Sequence, residues 1–196
     1  MNYLAHAVLS FENDSILVGQ FIADDVKGKH WMNYETDIKK GILLHRFIDD
    51  FTDNHPSVLQ LKSRLYSSLG KFAGVALDVL FDHCLSIRWE HHLASNRVDS
   101  IARFYETLQA NRTHLSEKRL YILARMIEYD WMNMYADREG TERILLQMSR
   151  RITLENPLHR AWEAFELHEK HVISSFDTFF PELLSAANAK YDTFAP

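Results

Sequence analysis

The chain has 196 residues, a formal net charge of −5, one cysteine, six glycines and four prolines. A single cysteine excludes an internal disulfide, the net acidity argues against a protein that coats nucleic acid, and no apolar run approaches the roughly 20 residues that cross a bilayer. Met1 to Leu9 carries no basic residue ahead of its apolar stretch and does not read as a secretory signal, so a cytoplasmic protein is expected.

Scarce Gly and Pro, with Leu, Ala, Glu, Lys, Arg and Met recurring throughout, predict an all-α chain, and the absence of repeats or an obvious linker predicts a single domain over 1–196. A first long helix is expected over 15–28, capped by Asp14 or Ser15 and closed by Gly28. A connector follows at 29–34, and a second helix runs from Thr36 or Asp37 to about Thr52, where Asn54-His55-Pro56 breaks it. Pro56 opens a short helix to Gly70. Ala73 to His92 is the most apolar helix of the chain, and helices are expected over 96–109, 117–131, 138–152 and 157–180, with Pro181 starting a separate C-terminal helix.

Two segments carry chemistry. His45, Asp49 and Asp53 are spaced i, i+4, i+8, and each step of four advances only about 40° around a helix, so they form one slanting row. Imidazole and carboxylate on one face suit a first-row metal ion; an ordinary polar face with an i, i+4 pair is the plainer account. In the apolar helix, Asp78 and Asp82 share a face and His83 lies about 100° away. Buried carboxylates are costly unless paired, hydrogen-bonded or metal-bound, so either an ion pair to an arginine such as Arg46 or Arg88, or a metal or acid/base site, is expected there. Asp24 follows Gly19, a position where a neighbouring backbone can come close. Asn2 and His6 also stand i, i+4, but a lone terminal histidine is more often packed or exposed than a ligand. Trp131 and Tyr135 are candidate pocket-lining residues, Cys84 is expected to be inert, and His159, His168 and His171 read as structural or surface residues. Oxygen and imidazole ligands favour Mn, Mg or Fe, and hydrolysis of a phosphate ester is the natural chemistry of such a site.

The opening Met1-Asn2-Tyr3-Leu4-Ala5-His6, then Gly19-x-x-x-Ala23-Asp24, then Gly41-Ile42-x-x-His45-Arg46-x-Ile48-Asp49 with Thr52-Asp53, then Leu77-Asp78-Val79-x-x-Asp82-His83-x-Leu85, resembles the acyl carrier protein phosphodiesterase family over about the first ninety residues. The resemblance implies an HD-phosphohydrolase-like helical bundle and Mn2+-dependent hydrolysis (Mg2+ or Fe2+ as alternatives) of the phosphodiester joining 4'-phosphopantetheine to the serine of holo-acyl carrier protein. It implies Asp24, His45, Asp49, Asp78, Asp82 and His83 as metal-binding or catalytic positions and Arg46 as the phosphate contact. It leaves ligands undivided from acid/base residues, because Asp82-His83 reverses the usual His-then-Asp order. The partner it implies is an acidic carrier protein, with no nucleic acid and no membrane, and its docking surface would draw on Lys27, Lys29, Lys39, Lys40, Arg46, Lys62, Arg64, Lys71 and Arg88. Two other readings stand beside it: a phosphohydrolase of a small nucleotide-like phosphodiester, and a metal-free helical module for an acidic partner.

Overall fold

A computed structural model describes residues 1–194, and among them every regular element is helical. The α-helices are α1 (Tyr3–Val8), α2 (Asp14–Ile22), α3 (Thr36–Asn54), α4 (Pro56–Leu69), α5 (Ala73–Ile87), α6 (Trp89–His92), α7 (Arg97–Ala110), α8 (Glu117–Glu128), α9 (Trp131–Met134), α10 (Arg138–Arg151) and α11 (Ala161–Asp192). Short 3-10 turns at Ala23–Asp25 and His30–Asn33 fill the connector between α2 and α3. None of the described helices is long and apolar enough to cross a membrane.

Local chemistry sets most boundaries. Asn2, Asn13, Asn96, Ser116 and Asp137 each accept a backbone N–H at the start of a helix, satisfying donors that have no partner within it. His55 does the same for α4 through Nδ1, with Pro56 at the first helical position, where its missing N–H costs nothing.

Four expected boundaries shift. The helix over 15–28 stops at Ile22, because Asp24 and Asp25 sit poorly at the negative end of a helix and Asp25 is drawn instead to Arg119 at 2.6 Å. The span 73–92 turns at Arg88, where Arg88 and His92 both close on Asp177 of α11 at 2.8 and 2.9 Å. The span 117–131 ends at Glu128, because Asp130 takes a left-handed conformation with φ of 50°. Pro181 does not start a new helix. It lies inside α11, a 32-residue helix. The lost hydrogen bond is outweighed by Phe176, Phe179, Phe180 and Leu183, which flank the proline and are fully buried.

The most extensive packing is between α2 and α3. The Cα atoms of Gly19 and Gly41 face each other, and a Cβ placed on Gly19 would lie 2.3 Å from the Ile38 carbonyl oxygen and 2.8 Å from the Gly41 Cα. No side chain fits between the two backbones. The contact fixes the end of α2, and Asp24 just beyond it, against the turn of α3 that carries His45. α11 crosses α3, α4 and α5 on the far side, and one apolar core runs from Met1 to Ala187.

Gly19→Ala is expected to destabilise the protein by roughly 1–3 kcal/mol through backbone overlap, or several degrees in Tm. Gly74→Ala, whose Cβ would meet only the flexible end of Lys62 at 3.4 Å, is expected to be neutral or slightly stabilising in the same thermal denaturation experiment. Equal effects of the two changes would show that the glycine contact is not a packing constraint.

Candidate active site

Residues of α1, α2, α3, α5, α7, α9 and α10, with the 3-10 turn after α2, line a cleft of about 430 Å³. From α3, His45 and Asp49 project as the i, i+4 row places them, with His45 Nε2 3.1 Å from Asp49 Oδ2. From the 3-10 turn after α2, Asp24 Oδ1 reaches the same His45 Nε2 at 3.3 Å. From α1, His6 stacks on His45, ring centroids 4.0 Å apart and planes within 19°, and its Nε2 lies 3.2 Å from Asp49 Oδ1. His6, absent from the residues expected to act, is thus a member of the group.

The protonation of His6 is set by its neighbours. Gln20 donates its amide N–H to the Leu9 carbonyl, so its oxygen faces His6 Nδ1 at 2.7 Å and accepts a hydrogen bond from the Nδ1–H. The tautomer leaves a lone pair on Nε2, which is enclosed and makes no hydrogen bond despite the nearby carboxylate. Burial, then the adjacent His45, pushes the His6 pKa down to about 4. A lone pair and a carboxylate facing each other across 3.2 Å call for a cation between them. His6, His45 and Asp49 each bring one ligand atom within 4.8 Å of the others, and Asp24 is bonded to the same His45 nitrogen. The donor set of imidazole and carboxylate, with Gln20 orienting one imidazole from behind, fits a divalent first-row metal ion.

Without a metal, a proton on His45 does part of this work. Burial opposes it, but Asp24 and Asp49 outweigh burial and raise His45 to about 9. Its hydrogen bond holds Asp24 down at about 2, with Arg119 adding from 3.6 Å away. Asp49 is raised by burial and lowered more strongly by the two imidazoles, and lies well below the ordinary carboxylate range.

The other expected residues go elsewhere. Asp82 is fully buried and does not line the cleft; it accepts the backbone N–H groups of Asn2, Leu4 and Ala5 at 3.3, 2.8 and 3.3 Å, fastening the start of α1 to α5. Burial pushes its carboxyl up to about 7 against those donors and the Met1 ammonium. Asp78 lines the cleft, paired with the Met1 ammonium at 2.9 Å, and burial raises its carboxyl too. The arginine pair expected for these two aspartates is absent among the described residues. His83 is not brought into the group. It points away from Asp82, with Nδ1 2.8 Å from the Tyr135 carbonyl, edge-on to Trp162 and Phe165. Arg46 does not line the cleft, since its guanidinium donates to the Val26 and Gly28 carbonyls at 2.6 and 2.9 Å and ties down the connector after Asp24. Asp53 lines the cleft and pairs with Lys62 at 2.7 Å. Cys84 is buried, and burial pushes its thiol far above the ordinary range, as an inert cysteine requires.

The raised His45 has a pH signature. Its folded pKa of about 9 exceeds the ordinary 6.5, so the metal-free protein holds this stabilisation in full below pH 6.5 and loses it as pH rises through 9. Urea unfolding in the presence of chelator is expected to show wild type losing stability across that window relative to His45→Gln. His6, lowered to about 4, acts in the separate window below 6.5, where its contribution is lost as pH falls. Parallel pH profiles of wild type and His45→Gln between 6.5 and 9 would remove the His45 ion pairs.

A profile of the acyl carrier protein phosphodiesterase family matches residues 1–183. Among similar proteins are the acyl carrier protein phosphodiesterase of Enterobacter sp. (strain 638), 30% identical over 97% of this chain and 99% of that one, and the protein of the same name from Photorhabdus laumondii subsp. laumondii, 29% identical over 97% and 96%. That of Klebsiella pneumoniae (strain 342) is 29% identical with 97% and 99% covered. No solved structure matches the chain. With its His6, Asp24, His45 and Asp49 segments all inside the matched span, the chain belongs to the acyl carrier protein phosphodiesterase family.

Proposed function

We propose that the cleft hydrolyses the phosphodiester between 4'-phosphopantetheine and the serine of holo-acyl carrier protein, giving apo-carrier protein and phosphopantetheine, with a divalent cation, Mn2+ first and Mg2+ or Fe2+ after it. The substrate comes from the names of the relatives. The observation that carries the metal-dependent chemistry is the enclosed, unpartnered His6 Nε2 set against Asp49, with His45 and Asp24 completing one wall of the cleft.

His6, His45, Asp49 and Asp24 would hold the cation. When bound, it supplies Lewis-acid polarisation of a phosphoryl oxygen. Gln20 keeps the His6 tautomer, and Arg119, stacked on Phe21 and bonded to Asp25, keeps the turn bearing Asp24 in place. In the reaction, water adds to phosphorus, the bond from phosphorus to the serine oxygen breaks, and that oxygen takes up a proton. We assign the proton exchange to Asp78, which lines the cleft outside the cation group and whose carboxyl is raised by burial.

An acidic carrier protein would meet the cations that are not already engaged. Lys40, Lys62 and Arg88 are paired with Asp37, Asp53 and Asp177, and Arg46 is held by carbonyls. Lys27, Lys29, Lys39, Arg64 and Lys71 make no ion pair among the described residues and remain the candidate docking cations. A metal-free binding module would have its Asp/His rows neutralised by arginines; here Asp49 faces two imidazoles instead.

Purified protein with Mn2+ is expected to remove phosphopantetheine from holo-acyl carrier protein, read as the mass loss of the carrier. His6→Ala and Asp49→Ala are expected to lower kcat/KM and metal affinity by roughly 10- to 100-fold or more, whereas His83→Gln keeps metal affinity near wild type. A carrier protein left intact by wild type with added metal would sink the proposal.

A further inference from the structure

The cleft that holds four carboxylates, Asp24, Asp49, Asp53 and Asp78, is lined, among the described residues, by a single arginine or lysine, Arg151. Arg151 is the last residue of α10, exposed, and makes no ion pair or hydrogen bond among the described residues. Its guanidinium carbon instead sits 5.3 Å over the ring of Trp131, which also lines the cleft. The left-handed Asp130, whose carboxylate accepts the Asn133 amide at 3.0 and 2.9 Å, shapes the turn that brings Trp131 there. Arg151 is also near enough to Tyr3, across the cleft on α1, for its charge to act on that half-buried phenol.

A cation in the last turn of a helix is stabilised by the helix dipole, and Arg150 in the same turn already meets that need from the surface. Arg151 differs in having every N–H donor unspent at the edge of a cleft. A flat aromatic ring beneath a guanidinium limits its motion while leaving its edge free for two parallel hydrogen bonds, the geometry suited to a phosphate. The other arginines near the site do not reach the cleft: Arg46 is committed to the Val26 and Gly28 carbonyls, and Arg119, whose Nη1 makes no hydrogen bond, is buried against Asp25 and does not line the cleft.

We propose that Arg151, braced on Trp131, binds the non-bridging oxygens of the substrate phosphodiester from the α9–α10 side of the cleft. The role the sequence suggests for Arg46 thus passes to a residue of α10. The inference rests on the phosphodiesterase reading for its substrate, and it is tested by binding as well as turnover.

Calorimetric titration of the Mn2+-loaded protein compares 4'-phosphopantetheine with pantetheine, which lacks the phosphate. Wild type is expected to prefer the phosphorylated ligand. Arg151→Gln is expected to weaken phosphopantetheine binding by roughly 10- to 100-fold and leave pantetheine binding unchanged. Arg151→Lys, which keeps the charge and loses the fork, should fall between. Because Arg151 is exposed, the variants should unfold at the wild-type temperature, which separates lost contact from lost structure. No preference for the phosphate in wild type, or the same affinity in Arg151→Gln, overturns the inference. If wild type cleaves holo-carrier protein and Arg151→Gln does so with the same kcat/KM, the proposed function stands and this contact is removed. If wild type does not cleave it but shows the Arg151-dependent preference, the contact stands and the proposed function is removed.

Discussion

Everything at the cleft depends on one fully buried carboxylate. Asp82 lies in a strongly apolar helix, where an uncompensated charge would cost several kcal/mol. Three backbone N–H groups at the start of α1 supply the compensation, and they are donors that a helix cannot satisfy for itself. Each solves the other's problem, so α1, only six residues long and unable to persist alone, is held at a defined place and angle on α5. His6 lies one residue beyond the last of the three donors. The anchoring of α1 therefore puts His6 flat against His45 and aims its Nε2 at Asp49.

The second constraint is the contact of Gly19 with Gly41. It brings two backbones to a separation that no side chain permits, and so brings Asp24 to a histidine on another helix. The outcome is electrostatically lopsided. His45 is bonded to two carboxylates and has a reason to carry a proton, while His6, 4.0 Å away, is desolvated and tied to Gln20 through its other nitrogen. Two imidazolium rings stacked at that distance would repel strongly. A divalent cation would remove the conflict, since both rings could then bind it as neutral donors and the carboxylates would keep a positive partner.

The α3 row was legible from spacing alone because His45 and Asp49 lie on one long helix, where i, i+4 geometry fixes side-chain direction. Gly19 was legible as a close-approach point, though not which backbone approaches. His6 was hidden because its role depends on a six-residue helix positioned by a residue 76 places away, which no periodicity reports. His83 stands apart from the group for a geometric reason that was already available: adjacent helical residues diverge by about 100°, so with Asp82 facing α1, His83 faces elsewhere, here α9 and α10. The apolar surroundings of Asp78 and Asp82 did signal something unusual, but burial cost alone does not distinguish a ligand from an anchor. Pro181 was read by its local cost, about 3 kcal/mol, which the three phenylalanines and the leucine beside it exceed once they are buried.

The same logic bears on the proposed phosphate contact, which we place outside the first half of the chain. Asp53 is matched by Lys62 and Asp78 by the Met1 ammonium, whereas Asp24 and Asp49 share one imidazole, with Arg119 3.6 Å from Asp24, and would meet in the proposed phosphodiester another anion. A cation held by the histidines and these two carboxylates offsets them, but it lies on the wall built by α1, α2 and α3. A second positive group would be needed where the far side of the phosphate sits; Arg46 is held by two backbone carbonyls, and Arg119, although its Nη1 makes no hydrogen bond, is buried and does not line the cleft. Only α10, arriving a hundred residues after His45, brings an uncommitted one to the cleft. The family motifs concentrated in the first ninety residues therefore describe a wall that favours a cation, and the wall that would receive the substrate's own charge is supplied by the second half of the chain.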